Sequence, residues 1–136
     1  MQVRVMATRM QKTIAKCTST LEGTSLHTGQ TVKLIIKPAE PHTGLKFRRV
    51  DLPDKPFLDA SASKVQSVER ATTIADGAVT VHTVEHILSA LTGMGVDNAI
   101  IEMDAGEPPI GDGSALPYVE MIKKAGIVEQ NAPLKV

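Results

Sequence analysis

Aromatic residues are nearly missing: there is no Trp, one Tyr and two Phe among 136 residues. The core must therefore be aliphatic, and the stacking platforms of single-strand nucleic-acid binders are unavailable. Excess charge of either sign is missing too, since 15 Lys and Arg face 15 Asp and Glu, which argues against a polyanion held by bulk electrostatics. One cysteine, Cys17, excludes an internal disulfide framework and fits a reducing compartment. No apolar run approaches the ~20 residues of a membrane helix, and charges interrupt every apolar run of the start, MQVRVMATRM, unlike a signal peptide. The expectation is one soluble cytoplasmic domain with no nucleic-acid partner and no transmembrane segment.

What is there suffices for a core. At 42% hydrophobic residues, a chain of this size buries roughly two thirds of its unfolded surface without metal or disulfide staples. Thr13 to Leu21 alternates loosely and reads as a strand ending near Gly23, with Cys17 as a small core residue within it. Thr31 to Lys37 is a clearer strand with Val32, Leu34 and Ile36 on one face, and Leu45 to Val50 returns as a third. The runs ATTIA and AVTV flank Asp76-Gly77, a strong hairpin signal.

Two helices come late. Thr83 is placed as the N-cap of the first, Val84, Ile87, Leu88 and Leu91 recur at helical spacing, and Gly93 or Gly95 supplies the stop. After the strand-like run Val96 to Met103, a second helix spans Ala115 to Ala125, capped by Ser114 and stopped by Gly126. The tail QNAPLKV reads as a linker or an incomplete next strand. Strands in front and helices behind make an α+β pattern, not repeating βαβ.

The most informative residues are Thr83-Val84-Glu85-His86. At about 100° per residue the apolar stripe centres near Val84, which leaves His86 pointing outward beside the small Ser89, Ala90 and Gly93. A helix N-terminus favours carboxylate over imidazolium. A neutral imidazole can ligate metal, and an adjacent carboxylate can act as general base to water. On the residues alone, a solvated pair at the helix start is the commoner reading.

Ligand count weakens the metal reading, because a catalytic zinc takes three protein ligands and an open position. His42 lies in a turn and is expected at the surface, and His82 is a joint residue; neither has a second ligand at i+4 on a helix. His27, in Ser25-Leu26-His27-Thr28-Gly29, is kept as a site neighbour, although a loop-structural role is the commoner one for such a residue. Asp112-Gly113-Ser114 lacks the Gly-x-Ser-x-Gly elbow of a nucleophilic serine and reads as turn plus N-cap. Arg48-Arg49 is too short a basic run to mean nucleic acid, and the glycines of TGMG do not open a helix as a phosphate loop does.

Several strings act together. Gly23-Thr24-Ser25-Leu26-His27-Thr28-Gly29, Thr83 to Leu91, Val96-Asp97-Asn98 with Ile101-Glu102, and Glu107 to Ala115 resemble the zinc-dependent UDP-3-O-acyl-N-acetylglucosamine deacetylases, in that family's order and spacing. The resemblance runs from about Met10 to Val128. It implies the first of two similar domains: a two-layer α+β sandwich, with a mostly antiparallel sheet of about five strands backed by two helices. On that basis residues 1–9 are an extension, 10–129 the domain and 130–136 the start of an interdomain linker.

The resemblance also implies roles. His86 matches the one zinc ligand that the family's first domain supplies, and Glu85 its general base for hydrolysis of an acetamide on a UDP-linked acylated glucosamine, the committed step of lipid A biosynthesis in Gram-negative bacteria. His27, Thr72 and Thr73 match regions near the substrate cleft. The other two zinc ligands, in a His-Lys-x-x-Asp motif, have no counterpart, because no histidine here is followed by Lys. The expected partner is thus a second domain of the same enzyme, and zinc is expected to bind weakly or not at all to this chain alone. Three hypotheses stay open: a first domain that needs its second half, a stand-alone non-catalytic binding paralogue, and a homodimer using two copies of His86. An uncovered interdomain face would favour self-association.

Overall fold

The computed structural model describes residues 8–60, 65–68 and 71–135, without the side chains of residues 8, 65–68, 71, 72 and 135. Strands β1 (Thr8–Ile14) and β10 (Ile127–Lys135) form an antiparallel ribbon. The main sheet has five strands in the order β2 (Leu21–Thr24), β3 (Thr31–Pro38), β9 (Ala99–Met103), β4 (Leu45–Arg49) and β5 (Phe57–Asp59). All its neighbours are antiparallel except β4 and β9. A third sheet joins β6 (Val65–Val68), β7 (Ala71–Asp76) and β8 (Val79–His82). Helices α1 (Glu85–Gly93) and α2 (Leu116–Ala125) pack on each other, and the architecture is α+β as expected.

Alternation in β3 decides which face is buried. Val32, Leu34 and Ile36 are sealed, as are Phe47 in β4, Leu58 in β5 and Ile101 and Met103 in β9. Ile87 and Leu91 of α1 and Ile122 of α2 complete this aliphatic core. Each such side chain contributes about 1.5–3 kcal/mol by leaving water. The hairpin of β7 and β8 forms as expected but turns at Gly77-Ala78, one residue later than the Asp76-Gly77 pair, because Asp76 still pairs with Val79; Gly77 takes φ +63°, a conformation open to glycine at no steric cost. Arg49 Nη1 donates to the Thr80 carbonyl (2.8 Å) and the His82 N–H to that of Gly106 (2.8 Å), joining this hairpin to the main sheet.

Expectations about β1 and α1 also need correction. The strand drawn from Thr13 to Leu21 is two strands, β1 ending at Ile14 and β2 starting at Leu21. Between them the chain crosses from ribbon to sheet, pinned where the Thr18 hydroxyl accepts from the Ile36 N–H (3.0 Å). Cys17 rides on that crossing and is exposed, so it is not a core residue. Ala90 is 3% exposed, not outward, because the buried arc of α1 takes in Ile87, Ala90 and Leu91 together. Val84, not Thr83, occupies the N-cap position, and no side chain caps α1.

The tail takes the strand form, with Ile127 to Lys135 running antiparallel to β1. Its entry is Gly126, at φ +83°, which ends α2 and turns the chain.

Candidate functional site

Strand β8 leads directly into α1, so Glu85 and His86 occupy the first helical turn at the rim of the core. Val84 is fully buried just before them and anchors the start of the helix, while Glu85 and His86 are each only partly buried. The carboxylate at this end is favoured by the peptide dipoles.

Immediately upstream, Thr83 has φ +57°. A β-branched residue rarely adopts a positive φ. Its hydroxyl does not cap the helix; it donates to Glu107 Oε2. The Glu107 side chain is completely buried, and Oε2 also pairs with His27 Nδ1 at 2.7 Å. Oε1 accepts from the backbone N–H groups of His27 (2.8 Å) and Thr28 (3.0 Å). Burial pushes the Glu107 carboxyl up, but the bonds from Thr83, His27 and the two backbone amides outweigh it and hold the group below its ordinary value. The Ser25 hydroxyl donates to the Glu107 carbonyl (2.7 Å), so main chain and side chain both fasten the His27 loop.

A small cavity of about 80 Å³ lies alongside, lined by His86 and Thr83 with Leu26, Pro109, Ile110 and Tyr118. Leu26 and Ile110 are among the exposed large apolar residues, as is Leu116 at the start of α2. The buried Tyr118 hydroxyl donates to the Pro109 carbonyl (3.1 Å), and desolvation raises its phenol above the ordinary range. Ser114 donates to Asp112 Oδ1 (2.6 Å) and accepts from the Leu116 N–H (3.2 Å), the turn role read from the sequence; the N-cap position of α2 is held by Ala115 and not by Ser114 as expected, since the helix starts one residue later, at Leu116. Those Ser114 bonds lower the Asp112 carboxyl, and His86 is near enough to add a small electrostatic contribution.

The structure brings Glu85, His86 and His27 to one joint, the last through Thr83 and Glu107. Thr73 is buried and bonded to His82 Nδ1 (3.0 Å), whereas the Thr72 side chain lies outside the described residues. His42 is at the surface, bonded to Gln11 (3.0 Å). The sequence assigns no role to Glu107; its signals are a lone acid directly before two prolines and its place at the head of the Glu107 to Ala115 string. Among the described residues, no group of three His, Cys, Asp or Glu side chains is placed to hold a metal.

Fold and site together define an α+β domain that presents a carboxylate and an imidazole side by side at a helix start, over a clamped histidine loop. Residues 11–136 match the LpxC family, described as UDP-3-O-acyl N-acetylglycosamine deacetylase, and the chain belongs to that family. It is 51% identical over 113 residues to the UDP-3-O-acyl-N-acetylglucosamine deacetylase of Teredinibacter turnerae, covering 83% of this chain and 37% of that protein. Identity to the deacetylase of Methylococcus capsulatus is 49% over 111 residues, 82% of this chain and 36% of the relative. The bifunctional enzyme LpxC/FabZ of Porphyromonas gingivalis is 49% identical over 113 residues, covering 83% and 24%. The chain thus spans well under half the length of these relatives.

Proposed function

We propose that this chain is the first half of a zinc-dependent deacetylase that hydrolyses the acetamide of UDP-3-O-acyl-N-acetylglucosamine to acetate and the free amine, in lipid A biosynthesis. The observation that carries the reading is the adjacency of Glu85 and His86 in the first turn of α1, within a chain matched to this family over residues 11–136. A cytoplasmic setting belongs to the same reading, and an exposed free thiol at Cys17 is compatible with it.

The donor set fits one share of a metal site. His86 offers one imidazole, and the remaining ligands must come from outside the described residues. Zinc, when bound, supplies a Lewis acid that polarises the amide carbonyl. Glu85 accepts a proton from the attacking water as the new C–O bond forms. The C–N bond then breaks, and that proton goes to the departing nitrogen, so water is consumed and acetate and amine leave. His27, Thr72 and Thr73 border the substrate cleft in this reading. The exposed Leu26, Ile110 and Leu116 form the apolar rim on which the second domain rests.

The test is a chimera in which this chain replaces the matching segment of the Teredinibacter turnerae relative. Acetate release by the chimera and none by the chain alone is the expected pair of results. Metal-dependent turnover by the chain alone would overturn the assignment of the missing ligands to a second domain, and a chimera that folds, binds zinc and does not turn over would overturn the reading itself.

A further inference from the structure

Glu107 has no part in the chemistry just described, yet it is the most heavily engaged buried carboxylate next to it. Its side chain is fully buried, and among the described residues its one ion-pair partner is His27. All four donors on it come from two short segments, His27 and Thr28 on one side and Thr83 on the other. The backbone of Glu107 is itself held by the Ser25 hydroxyl, and a β-bridge between Ser25 and Pro109 fastens the chain two residues further on. A carboxylate so framed is a rigid point in the structure.

The segment held by that point is unusual. Thr83 sits at φ +57°, and strain of this kind persists only where surrounding contacts over-determine it. Threonine beside a helix start ordinarily caps the helix, yet here the hydroxyl is spent on Glu107 and α1 has no side-chain cap. A stabilising option is forgone in favour of a contact that bends the chain two residues before Glu85 and three before His86.

We propose that Glu107 is a positioning residue: it holds Thr83 in the left-handed conformation and so sets the direction in which α1 presents Glu85 and His86. The catalytic consequence rests on the reading of those two residues as base and ligand; the structural consequence does not. Small misplacement of such groups is costly, since about 1 Å can lower turnover ~100-fold.

The test has two arms. In the isotope-labelled chain, Glu107→Gln should move the amide resonances of Glu85, His86 and Ile87 and speed hydrogen exchange in the first turn of α1, while the signals of β3 and β9 stay in place. In the chimera, the same substitution should lower kcat at least about tenfold with KM little changed, the pattern of a group acting on the transition state through others. Adding Thr83→Gly, which takes a positive φ without strain, should restore much of both. If Glu107→Gln abolishes folding, the isosteric Thr83→Val, which keeps the branched Cβ and removes the contact, must disturb the same first turn. An undisturbed first turn in the folded variants, or lost turnover that Thr83→Gly does not restore, overturns the proposal. An inactive wild-type chimera with a disturbed first turn in the labelled Glu107→Gln chain sinks only the catalytic reading.

Discussion

Arg9 and Asp97, 88 residues apart, meet in a two-pronged contact: Nη1 to Oδ2 and Nη2 to Oδ1, both at 2.7 Å. Asp97 Oδ2 also accepts from the Lys12 N–H at 2.8 Å, so the carboxylate fastens β1 to the turn before β9. The two partners are unequal, since the guanidinium is 43% exposed and the carboxylate 17%. Asp97→Ala strands the Lys12 N–H and is expected to lower unfolding free energy by about 1–3 kcal/mol. Arg9→Ala should cost clearly less, because exposed ion pairs contribute little. Urea unfolding with an unchanged m-value checks both.

Stability should fall on the acid side. The Asp97 carboxyl is lowered first by the hydrogen bond from Arg9, Asp51 first by that from Arg49, and Glu107 by its donors against its own burial. Each therefore binds a proton more weakly folded than unfolded, so its contribution is complete above the unfolded carboxyl values near 4 and is lost as pH drops through the folded ones. The urea midpoint should be lower at pH 3.5 than at pH 7, and Asp97→Asn should narrow that gap. A wider gap in the variant would contradict the assignment.

Asn98 is a third stability test. Its side chain donates to Gln11 Oε1 (2.9 Å) and Gln130 Oε1 (2.8 Å) and accepts from the Gly44 N–H (2.8 Å), all in a site 1% exposed. Asn98→Ala strands partners in β10 and the turn before β4 and leaves Gln11 Oε1 of β1 with the His42 N–H alone. A loss of about 2–4 kcal/mol is expected, with hydrogen exchange in the ribbon rising before exchange in the main sheet.

Catalytic variants should separate cleanly in the chimera. Glu85→Gln is expected to keep zinc and lose about 10²–10⁴ in kcat, the usual worth of a positioned base. His86→Ala should lose zinc as well as turnover. Since both side chains are only partly buried, thermal midpoints of the metal-free proteins should move little, and metal analysis beside calorimetry distinguishes the two variants.

Much of the fold was legible because hydrophobic periodicity and turn chemistry are local signals. Val32, Leu34 and Ile36 announced β3, Asp76-Gly77 announced the hairpin, and Gly126 announced the end of α2. The crossing at Cys17 was not legible: its alternation imitates a strand, and only the pairing of Thr18 with Ile36 reveals that the chain has changed sheets. In the site, Glu85 and His86 could be placed by helical spacing and His27 by its loop. Their common anchor could not, because Glu107 lies 80 residues from His27 and 24 from Thr83, and no local pattern encodes such a meeting.

The pairing of β1 with β10 sets Thr8 opposite Lys135, so the described chain begins and finishes at neighbouring points of one ribbon. Topologically the domain is almost a closed ring. A few residues of tether could join those points, and new ends opened at the exposed Gly77 hairpin would leave every ladder of the main sheet intact. Thr8 and Lys135 thus share one corner of the domain, and a cut at Gly77 with a join at that corner should preserve the fold.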